Sequence, residues 1–364
     1  MASLLLIDDD ERSLEALHTA LTKIFALEEK VDVRVWVPKK NDVPKTTFDG
    51  FVDDDTILVI TDYDLTKQGL TGLFGSSIVS WCQLRAIPVG DFSRNNASEL
   101  PSEPNLFEFR VPTKLEETAP FVAAVYRGFR KIRETLRQRP DLVAKKKSPA
   151  AILAGLLEVP QEESQFALYT VRYGSVNSAL TDRITKTAAA DKQPSRPEKE
   201  TLLTYIVGHL LLNTILRFPG PIVSVRGLAA FVGVNESEHE TIEKEFGTAR
   251  YCGPFFELGP YFWMTKVTLL VEGLVDALPK SVNVETHGEL HRLALEKKVG
   301  RPLKRPACSR CGGVNGGFLC PFTKRTVCQR SDCSVGSTSW IPAGARLCRI
   351  EREFYDEWAP LLGL

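Results

Sequence analysis

The chain has 364 residues, 43% hydrophobic and 25% charged, with 46 Lys plus Arg against 46 Asp plus Glu. That composition excludes a disordered or fibrous chain, and the length suits two or three globular domains. Net charge alone names no partner, but its distribution is uneven: residues 1–118 hold 21 acids and 12 bases, so the remainder is basic.

The N-terminus lacks a basic segment followed by a long apolar run, so no secretory signal is expected. "SLLLIDD" reads as a short buried strand running into Asp8 and Asp9. "ERSLEALHTALTKIF" follows, with Leu14, Leu17, Leu21, Ile24 and Phe25 at helical spacing. "VDVRVWV" (31–37) alternates like a strand, and "DTILVITDYDL" (55–65) is a second apolar run that ends in acid. "GSSIVSWCQL" reads as a helix, "AIPVGDFS" and "NLFEFRV" as strands, and "EETAPFVAAVYRGFRKIRETLRQR" as a long amphipathic helix. Strands alternating with helices predict an α/β domain: a doubly wound, five-stranded parallel sheet of flavodoxin-like type.

Such sheets gather functional groups at the carboxyl ends of their strands. Asp8 and Asp9 end the first strand, Asp62 ends "ILVIT", and Ser93 follows "IPVGDF". Carboxylates converging there repel one another unless a hard cation bridges them, and magnesium suits an all-oxygen site. An aspartate beside that cation can attack a phosphoryl group to give an acyl phosphate.

These residues resemble the receiver domain of bacterial response regulators, over roughly the first third of the chain. The resemblance implies that Asp8 and Asp9 form the magnesium-binding acidic pair with Asp62. It makes Asp62 the phosphoacceptor and Ser93 the switch hydroxyl. "GLTG" (69–72) resembles the glycine-containing stretch after the acceptor. The resemblance further implies a cytoplasmic two-component signalling protein, partnered by a histidine kinase or another protein, with homodimerisation through the receiver as a further possibility. One position departs from the pattern: Val111 precedes Pro112 where the family places a lysine, flanked by Arg110 and Lys114. Strand alternation sets Arg110 on the face opposite Val111.

The expected organisation is a receiver-like domain at 1–125, a basic helix and linker at 126–150 and a mainly helical domain at 151–300. A cysteine-rich module at 301–350 and a C-terminal helix at 351–364 complete it. "LLTYIVGHLLLNTILRF" (202–218) contains His209 and Asn213 and reads as a buried helix rather than a membrane span. "LAAFVGV" resembles the start of a helix-turn-helix, but the next helix carries Glu236, Glu238, Glu240, Glu243 and Glu245. Phosphates would repel it, so a packed helical hairpin is expected. Aromatic-rich "ARYCGPFFELGPYFWMTK" (249–266) is expected to line a core, with Cys252 a buried structural thiol. His287 and His291 stand four residues apart without the metalloprotease pattern.

Five of the eight cysteines fall within residues 308–333. Cys308 and Cys311 form a C-x2-C knuckle before Gly-Gly, and Cys328 and Cys333 supply a second pair. Four thiolates from two such pairs suit a closed, structural zinc site of ribbon type, with Cys320 as an alternative ligand. The reading is therefore a response-regulator-like signalling protein whose receiver, phosphorylated on Asp62 or acting as a phosphorylation-independent pseudo-receiver, controls a helical and zinc output module through protein contacts, in an architecture suited to stress or antiviral signalling. Two others stand beside it. One is a nucleic-acid regulator built on the zinc module and basic segments. The other is an enzyme using Cys252 or the His287–His291 pair.

Overall fold

The first strand, β1 (Ser3–Ile7), is buried along its whole length, as is β3 (Thr56–Asp62). Unbroken apolar runs of this kind belong in a sheet covered on both faces. The computed structural model, which describes residues 2–26, 30–66, 73–92, 108–144, 147–170, 196–279, 284–314, 317–336 and 338–359, places both strands at the centre of such a sheet. Ser93 and residues 69–72 lie outside the described residues.

In chain order the first elements are β1, α1 (Glu11–Ala26), β2 (Asp32–Trp36), α2 (Pro44–Phe51), β3, α3 (Gly75–Leu84), β4 (Val89–Phe92) and β5 (Phe109–Arg110). The five strands are parallel in the order β2-β1-β3-β4-β5. The strand order reverses between β1 and β3, which sets their carboxyl ends side by side. One face packs Leu5, Ile7, Val59 and Val89 against Phe48 of α2 and Ile78, Val79 and Cys82 of α3. By alternation Leu4, Leu6, Leu58 and Ile60 face the other side. There α1 meets α4 (Leu115–Gln138) through Phe25 and Tyr126, whose ring centres are 5.2 Å apart.

The chain divides into two compact units. The first comprises residues 1–159, 173–213 and 253–258, the second 160–172, 214–252 and 259–364. Helix α4 runs unbroken from 115 to 138 and is followed by α5 (Pro140–Ala144) and α6 (Pro149–Leu156). Within the first unit this helical layer also includes α8 (Arg196–His209), reached after α7 (residues 163–170) of the second unit. His209 is fully buried between Phe129 and Tyr205, at ring distances of 5.2 and 4.7 Å. Burial pulls its pKa down to about 3, so it is neutral in the folded chain.

In the second unit β6 (Ile222–Ser224) pairs antiparallel with β7 (Tyr261–Trp263). Around them pack α9 (Val225–Phe231), α10 (His239–Glu245), α11 (Met264–Asp276) and α12 (His287–Val299), sharing a core that includes Leu228, Ile242, Phe246, Phe262, Val267 and Leu295. The turn after α9 needs Gly233: its φ is +66°, and a Cβ there would lie 2.1 Å from the Gly288 carbonyl oxygen. Four of the five acids of the expected helical hairpin are ion-paired within the unit: Glu236 with Arg226, Glu238 with Arg301, Glu243 with Arg250 and Glu245 with Lys298. Tyr251 and Phe262 from the aromatic stretch are buried here. The unit ends in two small antiparallel ladders, β8 (Phe318–Leu319) with β9 (Thr326–Val327) and β10 (Ser334–Val335) with β11 (Ile350–Glu351), and then α13 (Arg352–Trp358). Among the described residues no helix is long and apolar enough to cross a membrane.

Candidate metal centres

Asp8 and Asp9 leave the end of β1 as Asp62 closes β3. The three are 1%, 1% and 5% exposed, and one carboxylate oxygen from each lies within 4.8 Å of the others. Backbone amides orient two of them. The Asp10 N–H donates to Asp8 Oδ1 at 2.8 Å, and the Tyr63 N–H to Asp62 Oδ1 at 2.8 Å. Asp10 itself turns away from the trio. Its carboxylate accepts from the Ser13 hydroxyl at 3.0 Å and caps the first turn of α1. Helix α3 starts directly against this site. A Cβ on Gly75 would lie 2.4 Å from the Asp62 carbonyl oxygen, and the Gly75 N–H donates to the Tyr63 carbonyl at 2.8 Å. Only glycine permits that approach.

Three ionised groups this close repel by about 3 kcal/mol per pair at an effective dielectric of ~20. The arrangement is therefore suited to sharing one cation. The bases near β5 do not take that place. Asp91 and Arg110 are register partners, and alternation sets both on the sheet face opposite Asp62. Burial raises the Asp91 pKa, and the Arg110 charge partly offsets the rise. Val111 is buried on the Asp62 side, and Lys114 pairs with Glu117 at 3.4 Å.

The second centre is formed by Cys308, Cys311, Cys328 and Cys333, whose sulfurs all lie within 4.8 Å of one another. Four thiols so placed can hold one metal ion such as zinc. The knuckle closes through the Gly312 N–H to the Cys308 carbonyl at 2.9 Å, with Gly312 at φ +68°. The Ser309 N–H donates to the Thr326 carbonyl at 2.9 Å and ties the knuckle to β9, which leads directly into Cys328. Opposing forces act on the Cys308 thiol. Burial raises its pKa, while N–H donors from Cys311, Arg310 and Cys328 bring it down to about 6. Burial and the neighbouring cysteines push Cys333 up to about 12. A thiol lowered at Cys308 beside thiols raised at Cys328 and Cys333 is a set that a divalent metal would deprotonate on binding.

Cys320 is not in this group. It is fully buried in a separate cluster with Trp340 and Ile350, and its sulfur accepts from the Glu351 N–H at 3.4 Å. Arg349 is a support that the sequence did not reveal. Its Nε donates to Ser334 Oγ at 2.7 Å, and that hydroxyl donates to the Cys328 carbonyl at 2.5 Å. Its guanidinium lies where a Cβ on Gly336 would collide with it at 2.3 Å. A fifteen-residue separation with no motif carries no sequence signal for such a brace.

His287 and His291 have ring centres 6.3 Å apart, and His291 Nδ1 is 3.0 Å from the Phe231 carbonyl. Among the described residues no third ligand joins them in a metal-sized group. Cys252 is exposed. No family model and no curated protein sequence matches the chain.

Proposed function

We propose that the first unit is a receiver-like signalling domain, and that Asp62 accepts a phosphoryl group beside a magnesium ion held by Asp8, Asp9 and Asp62. The observation that carries this reading is the convergence of three buried carboxylates at the β1 and β3 ends of a 2-1-3-4-5 parallel sheet. That strand order supports a flavodoxin-like reading, in which the functional crevice lies at the same switch point. Bound magnesium would neutralise the carboxylates and the incoming phosphoryl oxygens. An Asp62 oxygen attacks phosphorus, the new O–P bond forms, and the donor's P–O or P–N bond breaks with departure of its leaving group. The donor is a histidine kinase or a small acyl phosphate.

Val111 supplies no charge to the phosphoryl group, and Arg110 is directed to the other face. Charge compensation therefore falls on the cation, and the acyl phosphate forms slowly and depends steeply on magnesium. The four-cysteine centre is proposed to hold zinc as a structural staple of a ribbon-like output module that contacts a protein partner. Incubation with acetyl phosphate and magnesium, read by intact mass, tests the first part. One phosphoryl mass is expected on the wild-type chain and none on Asp62→Asn. An unmodified wild-type chain removes phosphotransfer and leaves a receiver-like domain that works without it.

A further inference from the structure

The four thiols of the cysteine centre are not equally covered. Cys308, Cys328 and Cys333 are 2%, 4% and 2% exposed, whereas Cys311 is open to solvent. The glycines after the knuckle account for the difference. Gly312 turns the chain back in a left-handed conformation, and Gly313 leaves the Cys311 sulfur bare: a Cβ there would lie only 3.3 Å from it. The Cys311 sulfur is 3.9 Å from that of Cys328. The Cys308 sulfur is buried and accepts the Cys328 N–H at 3.4 Å. Of the eight cysteines only Cys252 is also exposed, and among the described residues it belongs to no metal-sized group.

The same centre ties down the last helix. The Cys333 carbonyl accepts from the Arg352 N–H at 3.0 Å, and Arg310, the residue before Cys311, is ion-paired with Glu353. Helix α13 has seven residues, too few to persist alone. Its aromatic side rests on Phe322 and Trp340: Phe354 stacks on Phe322 at 5.1 Å, and the Tyr355 ring centre is 5.3 Å from that of Trp340. The start of α13 is thus fixed from both halves of the centre, through the residue beside Cys311 and through Cys333 itself.

We infer that Cys311 is an oxidation site for hydroperoxides, and that its joining to Cys328 opens the metal centre and frees α13. The inference rests on the zinc reading of that centre. Metal binding keeps Cys311 as a thiolate, which is the nucleophilic form, and its exposure lets a peroxide reach it before its buried partners. The Cys311 thiolate attacks one peroxide oxygen, the O–O bond breaks and hydroxide leaves, giving a sulfenic acid. The Cys328 thiolate then attacks the Cys311 sulfur, the S–O bond breaks and a second hydroxide leaves. The two thiolates lose two electrons to the peroxide, and the two hydroxides take up protons to become water. Cys308 and Cys333 then remain as ligands, too few to retain zinc in a tetrahedral protein site. Drawing Cys311 onto Cys328 also moves Arg310 away from Glu353.

The test treats the full, zinc-loaded chain with hydrogen peroxide. Zinc content before treatment separates the two readings: a chain that takes up no zinc fails there, and a loaded chain that keeps its zinc under peroxide fails only here. The expected result is a Cys311–Cys328 disulfide by peptide mass mapping, zinc released to a chromogenic chelator, and faster amide exchange across residues 352–358. Reduction with a dithiol restores zinc uptake. Gly313→Ala keeps all four ligands and covers the Cys311 sulfur, and Gly313 is not left-handed, so alanine is accommodated. That variant is expected to slow zinc release about threefold or more, whereas Cys252→Ser leaves the rate unchanged. Zinc loss with the disulfide formed between other cysteines, equal rates in Gly313→Ala and wild type, or unchanged exchange in α13 after release overturns the proposal.

Discussion

Asp62 is where the physics of this chain is most exposed. It is buried beside Asp8 and Asp9, and their mutual repulsion opposes folding whenever no cation joins them. Asp62→Asn removes one charge from the trio. Without divalent ions the variant is expected to be more stable than wild type, by up to a few kcal/mol once two pairwise repulsions are removed, and with magnesium this order reverses. Urea unfolding with and without magnesium measures both signs, and a variant less stable under both conditions contradicts the cation reading. His209 gives a second residue-scale prediction. Its pKa is about 3 when folded against 6.5 for a free histidine, so the unfolded chain binds the extra proton between those values. Stability is therefore full above pH 6.5 and falls as the pH drops toward 3. His209→Gln flattens that part of the stability profile, and an unchanged slope would show that other groups set it.

At the scale of elements, the cysteine centre is held by backbone geometry more than by a core. The strands β8 to β11 have two residues each, too few to fold alone. Removing the metal with a chelator is expected to release four titratable thiols and to lower the melting temperature of the second unit. Thiol titration with a chromogenic disulfide checks the count. Arg349→Ala loosens the brace on Cys328 and is expected to weaken zinc retention about tenfold without removing any ligand. Four of these residues were legible in sequence because two close cysteine pairs with glycines leave few other uses. Arg349 was not, because its contact with Ser334 arises from a chain reversal. The same contrast holds in the sheet. β1 and β3 were legible as apolar runs ending in acid. Helix α2 was not legible, although Pro44 at its start and buried Phe48 are signals for it. Gly75 was visible only as the first letter of a helix, and its closeness to Asp62 emerges from packing. Lysine's absence at 111 was plain in the sequence. So was the strand alternation that turns Arg110 to the opposite face; the β4–β5 register adds that Asp91 lies beside Arg110 there.

At the scale of the whole chain, the two units interleave along the sequence, and that changes what a fragment can do. A receiver ending at residue 125 would cut α4 midway, because the helix continues to Gln138. The lost half carries Tyr126, Phe129, Ile132 and Leu136, all fully buried. It also carries Arg133, which is 6% exposed and donates to the Asp54 carbonyl just before β3. Deleting large core side chains costs about 2–5 kcal/mol each, and a whole domain has only about 5–15 kcal/mol in hand. Four such losses exceed that margin. Residues 1–125 alone are therefore expected to lack a cooperative thermal transition, whereas residues 1–213, which retain α4 and α8 with Tyr205 and His209, recover one. Circular dichroism melts of the two fragments beside the full chain distinguish these outcomes. A cooperative melt of residues 1–125 at the temperature of the longer fragment would mean that the sheet and its carboxylate site stand without the helical layer that covers them.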